Sequence, residues 1–273
     1  MKLNIDSNLE VYQFENLFNE KDIHHAITTR KGGISEDYAD SLNLGYGVDD
    51  HLNYVEENRR RLAEFMEVDF EHLIFQKQTH STNYKIITEK NYKEYIENCD
   101  ALITAEKNIA IAVLGADCVP ILLFDKKNKV IAAIHAGWKG TVNGIVNKVM
   151  DVLKTEFNSK PENIIAGIGP SICAEMYEVG PEVVEAFEKT FLNHPSLITN
   201  RHDNKAHIDL WLANKSWLLN QGVPEKNIEI SELCTYKNHD TFYSARYYKN
   251  KTGRFASCIV MKKKVLQIIL KNP

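Results

Sequence analysis

Three short runs constrain this chain most. Ile109–Leu114, Pro120–Phe124 and Val130–Ile134 are apolar at nearly every position. A strand with one wet face alternates apolar and polar residues. A run without alternation reads as a strand buried on both faces. Each run ends in a polar or small break: Gly115-Ala116-Asp117-Cys118, Asp125-Lys126-Lys127, and His135-Ala136-Gly137. The pattern predicts stacked strand ends at one rim of a covered sheet.

Further strands are expected at His25–Arg30, His72–Gln76, Tyr84–Ile87, Ala101–Thr104, Asn163–Ile168, Ile228–Ile230 and Phe255–Met261. Helical periodicity covers the segment from Asp49 or Asp50, as cap, to Met66. It also covers Thr141–Phe157 with Thr141 as cap, Pro181–Phe191 with Pro at its first position, and Ile208–Leu219. Between His25–Arg30 and the first helix runs a long loop, 31–49, with Gly32, Gly33, Gly45 and Gly47. Ordered loops of that length often carry function. The mixture of elements predicts an α/β or α+β fold, with mixed sheets flanked by helices. No linker or repeat divides the 273 residues, so a single domain over 1–273 is expected.

A net charge of -4 gives no general attraction for phosphate backbones, so nucleic acid is not expected as a partner. The N-terminus lacks an apolar signal core, and the most apolar stretch, Ile109–Phe124, is interrupted by Asp117. A cytoplasmic protein without a membrane anchor is expected. The five cysteines, Cys99, Cys118, Cys173, Cys234 and Cys258, are odd in number and show no C-x-x-C pair. They read as reduced thiols.

Three polar breaks could carry chemistry: Gln76–Ser81, Gly115–Pro120 and Ile134–Gly140. They contain His80, Cys118 and His135. Two imidazoles and a thiolate can hold zinc with one tetrahedral position open, and zinc lowers the pKa of a water there to about 7. Each residue also has a plainer reading. A histidine at a strand end usually makes a structural hydrogen bond, and a cysteine between buried strands usually packs as a small hydrophobe. A rival reading makes Cys118 a nucleophile and His135 its base, with Asp117 or a carbonyl orienting it.

A second group is cationic. Thr28–Ser35 combines Arg30 with Gly32 and Gly33 and could cradle a phosphate; its plainer reading is a surface turn. Asn43 in Ser41-Leu42-Asn43-Leu44-Gly45 could face a polar ligand. Arg246 and Arg254 could add charge for an anion, or simply line a solvated face. Cys173 reads as packing.

Taken together, these motifs resemble the YfiH-like, or laccase-domain, family, also described as purine nucleoside phosphorylases of the multicopper oxidoreductase-like type. The resemblance covers nearly the whole chain. It rests on Thr28-Thr29-Arg30 with Gly32, Gly33 and Ser35, on Ser41–Gly45, and on Gln78-Thr79-His80. It continues through Ala116–Pro120, His135–Gly140 and Gly169–Cys173.

The resemblance implies one zinc held by His80, Cys118 and His135, which are also the catalytic residues. It implies a layered α/β domain, distantly similar to the cysteine-hydrolase domain of cytotoxic necrotising toxins. That likeness keeps a Cys–His amide hydrolase in view. It implies phosphorolysis of adenosine, inosine and methylthioadenosine, and deamination of adenosine, with purine nucleosides and inorganic phosphate as partners. Arg30 and Arg246 are then the expected phosphate contacts. Asn43, Gln78 and Ser81 are expected at sugar or base. A monomer or weak homodimer is expected.

A laccase-like polyphenol oxidase is the other alternative. The ten histidines contain no His-x-His pair, however, and one Cys with two His suits zinc better than a copper relay, although copper could occupy the site in vitro. The family commonly carries His or a larger polar residue where this chain has Ala245.

Overall fold

The computed structural model describes residues 1–6 and 9–263. Two six-stranded sheets and one small three-stranded sheet carry the fold. The first sheet runs Lys2–Asp6, Leu9–Gln13, Ile23–Thr28, Phe255–Met261, Ala110–Gly115 and Leu73–Ile74. Its neighbours are antiparallel except the last, parallel pair. The second runs Ile228–Ile230, Ile164–Ile168, Val119–Asp125, Val130–Ala136, Ala101–Thr104 and Tyr84–Ile87. Its two outer pairs are parallel and its inner pairs antiparallel. Mixed sheets flanked by helices were expected, and both large sheets are mixed.

The unbroken apolar runs have a simple cause. In the second sheet, Ile103, Ile121, Leu123, Ala132 and Ile134 pack under the helices Ile145–Phe157, Pro181–Thr190 and Leu210–Asn220. Their alternate neighbours Leu102, Leu122, Phe124, Ile131 and Ala133 meet Ile27, Ile111, Val113, Phe255 and Ile259 of the first sheet. The first sheet's other face, with Ala26, Ala110, Ala112, Ala256 and Val260, packs on Leu62, Ala63 and Phe65 of the helix Leu52–Phe65. The layers are therefore helix, sheet, sheet, helix. Every central strand is buried on both faces, so neither period-2 face is free to be polar.

Several boundaries differ from the sequence reading. The helix Leu52–Phe65 is capped by His51 and not by Asp49 or Asp50. The Asp50 carboxylate is turned inward, accepting from Ser35 at 2.7 Å and Asn43 at 2.8 Å. The expected helix Thr141–Phe157 is two helices, Trp138–Val142 and Ile145–Phe157. Gly144 separates them at φ +72°, a left-handed conformation open to glycine. Thr141 lies inside the first helix, and its hydroxyl accepts from Asn214. Lys205–Ile208 is a strand of the small sheet, and Asp209 caps the helix that follows by accepting from the Leu212 N–H at 2.9 Å. The His72–Gln76 strand shrinks to Leu73–Ile74, because Phe70–His72 forms a 3-10 turn. Among the described residues, no helix is long and apolar enough to cross a membrane.

Candidate metal centre and the cavity around it

Ala110–Gly115 belongs to the first sheet and Val119–Asp125 to the second. Residues 116–118 are thus the crossing between sheets, and Cys118 sits on it. Asp117 makes that crossing at φ +92°, an unusual conformation for a side-chain-bearing residue. The turn is pinned on both sides. Asp117 Oδ1 accepts from the Thr235 hydroxyl and Oδ2 from the Arg246 N–H, each at 2.6 Å.

His135 arrives at the end of Val130–Ala136. Strand register sets Ala101 opposite Ile134, and the His135 N–H donates to the Asp100 carbonyl at 2.7 Å. Asp100 is therefore beside His135 because the backbones pair. Gln78 docks the third segment. Its side-chain amide donates to the Leu114 carbonyl at 2.9 Å and accepts from the Leu114 N–H at 2.7 Å. His80 follows at φ +59°.

The ligand atoms of His80, Cys118 and His135 lie within 4.8 Å of one another. Cys118 Sγ is 3.6 Å from His80 Nε2. A tetrahedral zinc with ordinary bond lengths separates its sulfur and nitrogen ligands by about 3.5 Å, so the spacing suits a metal. Copper would also accept this donor set. His135 Nδ1 is bonded to Asp100 Oδ1 at 2.8 Å, which leaves Nε2 for a ligand. Gly137 makes the approach possible. A Cβ there would lie 2.7 Å from His80 Cδ2 and 3.1 Å from Cys118 Sγ.

Asp100 is one residue that sequence reasoning missed. It is fully buried, and it accepts from the N–H groups of Thr79, His80 and Ser81 and from the Ser81 hydroxyl. Burial opposes its charge. The hydrogen bonds from His135 and Ser81 outweigh that and hold the carboxyl well below the usual range. Nothing in its local sequence, Asn98-Cys99-Asp100-Ala101, marks it; only strand pairing does.

The thiols divide by environment. Burial pushes Cys99 and Cys173 up to about 11 and Cys258 up to about 12. Burial also opposes the Cys118 thiolate, but His135 and His80 overcome it and bring the pKa down to about 6. His135 answers in the opposite sense. Burial disfavours its charge, yet Cys118 and Asp100 raise it to about 9. The two shifts, Cys118 down and His135 up, both favour a thiolate facing an imidazolium.

The metal corner opens on two lobes. The larger, about 1040 Å³, is lined by Tyr46, Arg59, Phe75, Tyr95, Arg246 and Arg254 among others, and by Ala245. The smaller, about 320 Å³, includes Trp138, Lys139 and Leu210. His80, Asp117, Cys118, Ile172 and Tyr177 line both.

The expected substrate residues separate into two sets. Arg246 lines the larger lobe, with its guanidinium 5.3 Å from the Tyr177 ring. Gln78 lines it too, with its amide already spent on Leu114. Arg30, Asn43 and Ser81 line neither lobe and do structural work instead. Arg30 donates to the Asp40 and His239 carbonyls and to the Tyr248 hydroxyl, tying the 31–49 loop to the 239–248 turns. Asn43 is wholly buried and satisfied by Gly45, Asp50 and Arg254. Ser81 serves Asp100. Arg59 and Tyr177 went unnoticed in the sequence.

The model of the multi-copper polyphenol oxidoreductase laccase family matches residues 24–262. A purine nucleoside phosphorylase of Bacteroides thetaiotaomicron is 39% identical over 269 residues, covering 96% of this chain and 100% of the relative. An adenosine deaminase, RL5, from an unknown prokaryotic organism is 38% identical, covering 84% of this chain and 90% of its own. The crystal structure of a hypothetical protein YfiH from Bacillus licheniformis superimposes with TM-score 0.89 at 29% identity, covering 95% of this chain and 99% of that one. The chain belongs to the YfiH-like, laccase-domain family.

Proposed function

We propose that this chain is a zinc-dependent purine nucleoside enzyme. It cleaves adenosine, inosine and methylthioadenosine with phosphate, and it deaminates adenosine to inosine. The observation that carries the reading is the convergence of His80, Cys118 and His135 at the junction of two lobes, beside the arginines Arg59, Arg246 and Arg254. The names of the relatives, a phosphorylase and a deaminase, support the same substrate class.

When bound, zinc supplies a Lewis acid and an acidified water at neutral pH. The protein's own residues do the rest. Asp100 keeps His135 turned with Nε2 inward. The Tyr177 ring, on the wall shared by both lobes, offers an apolar face for a purine, and Arg246 offers charge for phosphate.

In phosphorolysis, a phosphate oxygen forms a bond to C1′ while the C1′–N9 bond breaks. Its electron pair moves into the purine, which takes up a proton. In deamination, water adds at purine C6 and ammonia leaves. Incubation of the holoenzyme with adenosine and phosphate should yield adenine, ribose 1-phosphate and inosine on chromatography. Full turnover by protein stripped of metal would refute the reading.

A second reading has one specific observation in its favour. Cys118 and His135 lie together, and the shifts of Cys118 down and His135 up favour the ion pair that a Cys–His amide hydrolase uses. It predicts an enzyme that is active without metal and silenced by iodoacetamide.

A further inference from the structure

The larger lobe contains three arginines, Arg59, Arg246 and Arg254. Among the described residues, none of the three forms an ion pair with a carboxylate; the arginines that do are Arg60, Arg61 and Arg201. Arg59 is sandwiched between aromatic rings, its guanidinium carbon 4.1 Å from the Tyr46 centroid and 4.0 Å from Phe75. Burial pushes its pKa down to about 10, which still leaves it cationic at neutral pH. The groups that offset the burial of Arg254 are Cys118 and Asp117. Both Asp117 oxygens already accept hydrogen bonds from Thr235 and the Arg246 N–H. Arg59 and Arg254 are half-buried and donate only to neutral backbone carbonyls, so each brings an uncompensated positive charge to the wall for an anion that arrives.

One residue fastens two of them. The Leu44 carbonyl accepts from Arg59 Nε at 2.9 Å and Nη2 at 2.7 Å. The Leu44 N–H donates to the Arg254 carbonyl at 2.9 Å. Next to it, Asn43 Oδ1 accepts from the Arg254 N–H at 2.9 Å. Arg254 Nη1 is spent on the Thr252 and Gly253 carbonyls, which directs the fork. Gly45 gives the arginine stem its room, since a Cβ there would lie 2.8 Å from Arg254 Cγ. Within the Ser41–Gly45 motif, the Asn43 side chain is taken up by Gly45, Asp50 and Arg254. The motif acts as a bracket for two cations on the cavity wall.

We propose that Arg59 and Arg254, clamped by Leu44 and Asn43, form the subsite for a tetrahedral phosphate group in the larger lobe. The proposal rests on the phosphorolytic reading; it adds this pair to Arg246 as phosphate contacts and leaves Arg30 to the loop. Leu44 takes Arg59 Nε and Nη2, and Thr252 and Gly253 take Arg254 Nη1, so Arg59 Nη1 and Arg254 Nε and Nη2 are the N–H groups left to donate to phosphate oxygens. The phosphate is either the free ion that attacks C1′ or the 5′-phosphate of a nucleotide.

The test uses zinc-loaded enzyme and inosine phosphorolysis, with zinc content as the check on folding. Arg254→Met should raise the phosphate KM by about tenfold or more, against less than about threefold for the inosine KM. Arg59→Met should do the same, and Arg254→Lys should recover part of the loss. Gly45→Ala should act in the same direction, more weakly. An unchanged phosphate KM, or an equal rise in both constants, would overturn the subsite.

If the wild-type chain performs no phosphorolysis, the proposed function fails on its own, and calorimetry still tests the clamp. Heat from inorganic phosphate alone, or from adenosine monophosphate alone, that disappears in Arg254→Met supports the clamp and identifies the source of the phosphate. No arginine-dependent heat with either ligand overturns it.

Discussion

The 31–49 loop, regular only in a 3-10 turn at Asp37–Ala39, and the corner around Cys118 treat polar groups in opposite ways. In the loop, polar atoms are matched inwardly. Asn58 alone accepts from the Ile34 N–H and donates to the Ser35 hydroxyl and the Ser41 and Asn43 carbonyls. Asp50, Asn43 and Arg30 are closed off in the same manner. At the corner Asp117 is closed off by Thr235 and the Arg246 N–H, and the carboxylate that supports the histidine segment, Asp100, is saturated. Its saturation leaves the working atoms of His80, Cys118 and His135 facing one point. In the loop the polar side chains close on one another as scaffold; at the corner three ligand-type atoms converge on one another.

Substitutions can break each half of that contrast. The largest effect on stability is expected at Asn58. Its replacement by Ala strands several buried groups at about 1–3 kcal/mol each, so we expect a loss of about 3 kcal/mol in chemical denaturation. Metal content should stay the same, and loss of metal without loss of stability would contradict the assignment of the loop as scaffold.

At the corner, Asp100→Asn removes the acceptor for either His135 or the Ser81 turn. Supporting residues of this kind are worth about 10–100-fold in metal affinity, which competition with a chelator would read. Unchanged affinity would show that Asp100 only holds the fold. Gly137→Ala should cost about tenfold in the same assay, since the methyl group pushes on both His80 and Cys118. Its backbone lies at φ -70°, so the glycine is needed for space and not for torsion.

The smallest expected effect is a shift in a pH profile. In metal-free protein, alkylation of Cys118 by iodoacetamide should remain fast down to about pH 6 and fall below it, because the neighbouring histidines lower the pKa from its ordinary 9.0. The sign follows from the thiolate being the nucleophile and being present above that pH. A midpoint near 9 would mean that the histidines do not face the sulfur.

Much of this was legible in the chain. The unbroken apolar runs announced strands buried on both faces, and Phe255–Met261 and Ile228–Ile230 matched their predicted bounds. His80, Cys118 and His135 stood out because each breaks an apolar pattern with a ligand-type side chain. Asp100 did not, since its role arises from pairing with Val130–Ala136, an event 35 residues away in sequence. Arg30 and Asn43 misled for the converse reason. A cation or amide beside glycines looks the same whether its donors face a ligand or neighbouring carbonyls. Arg59 was hidden on the helix Leu52–Phe65 beside Arg60 and Arg61, which pair with Glu56 and Glu57 in the ordinary i,i+4 manner.

The central claim is that one metal, held by His80, Cys118 and His135, runs purine chemistry. Elemental analysis of wild type and Cys118→Ala, paired with chromatography of adenosine plus phosphate, addresses it directly. We predict about one zinc per wild-type chain with product formed, and neither in the variant, because three protein ligands define one site. Product formation at the wild-type rate by metal-free protein, or zinc retained at full occupancy in Cys118→Ala, would contradict it.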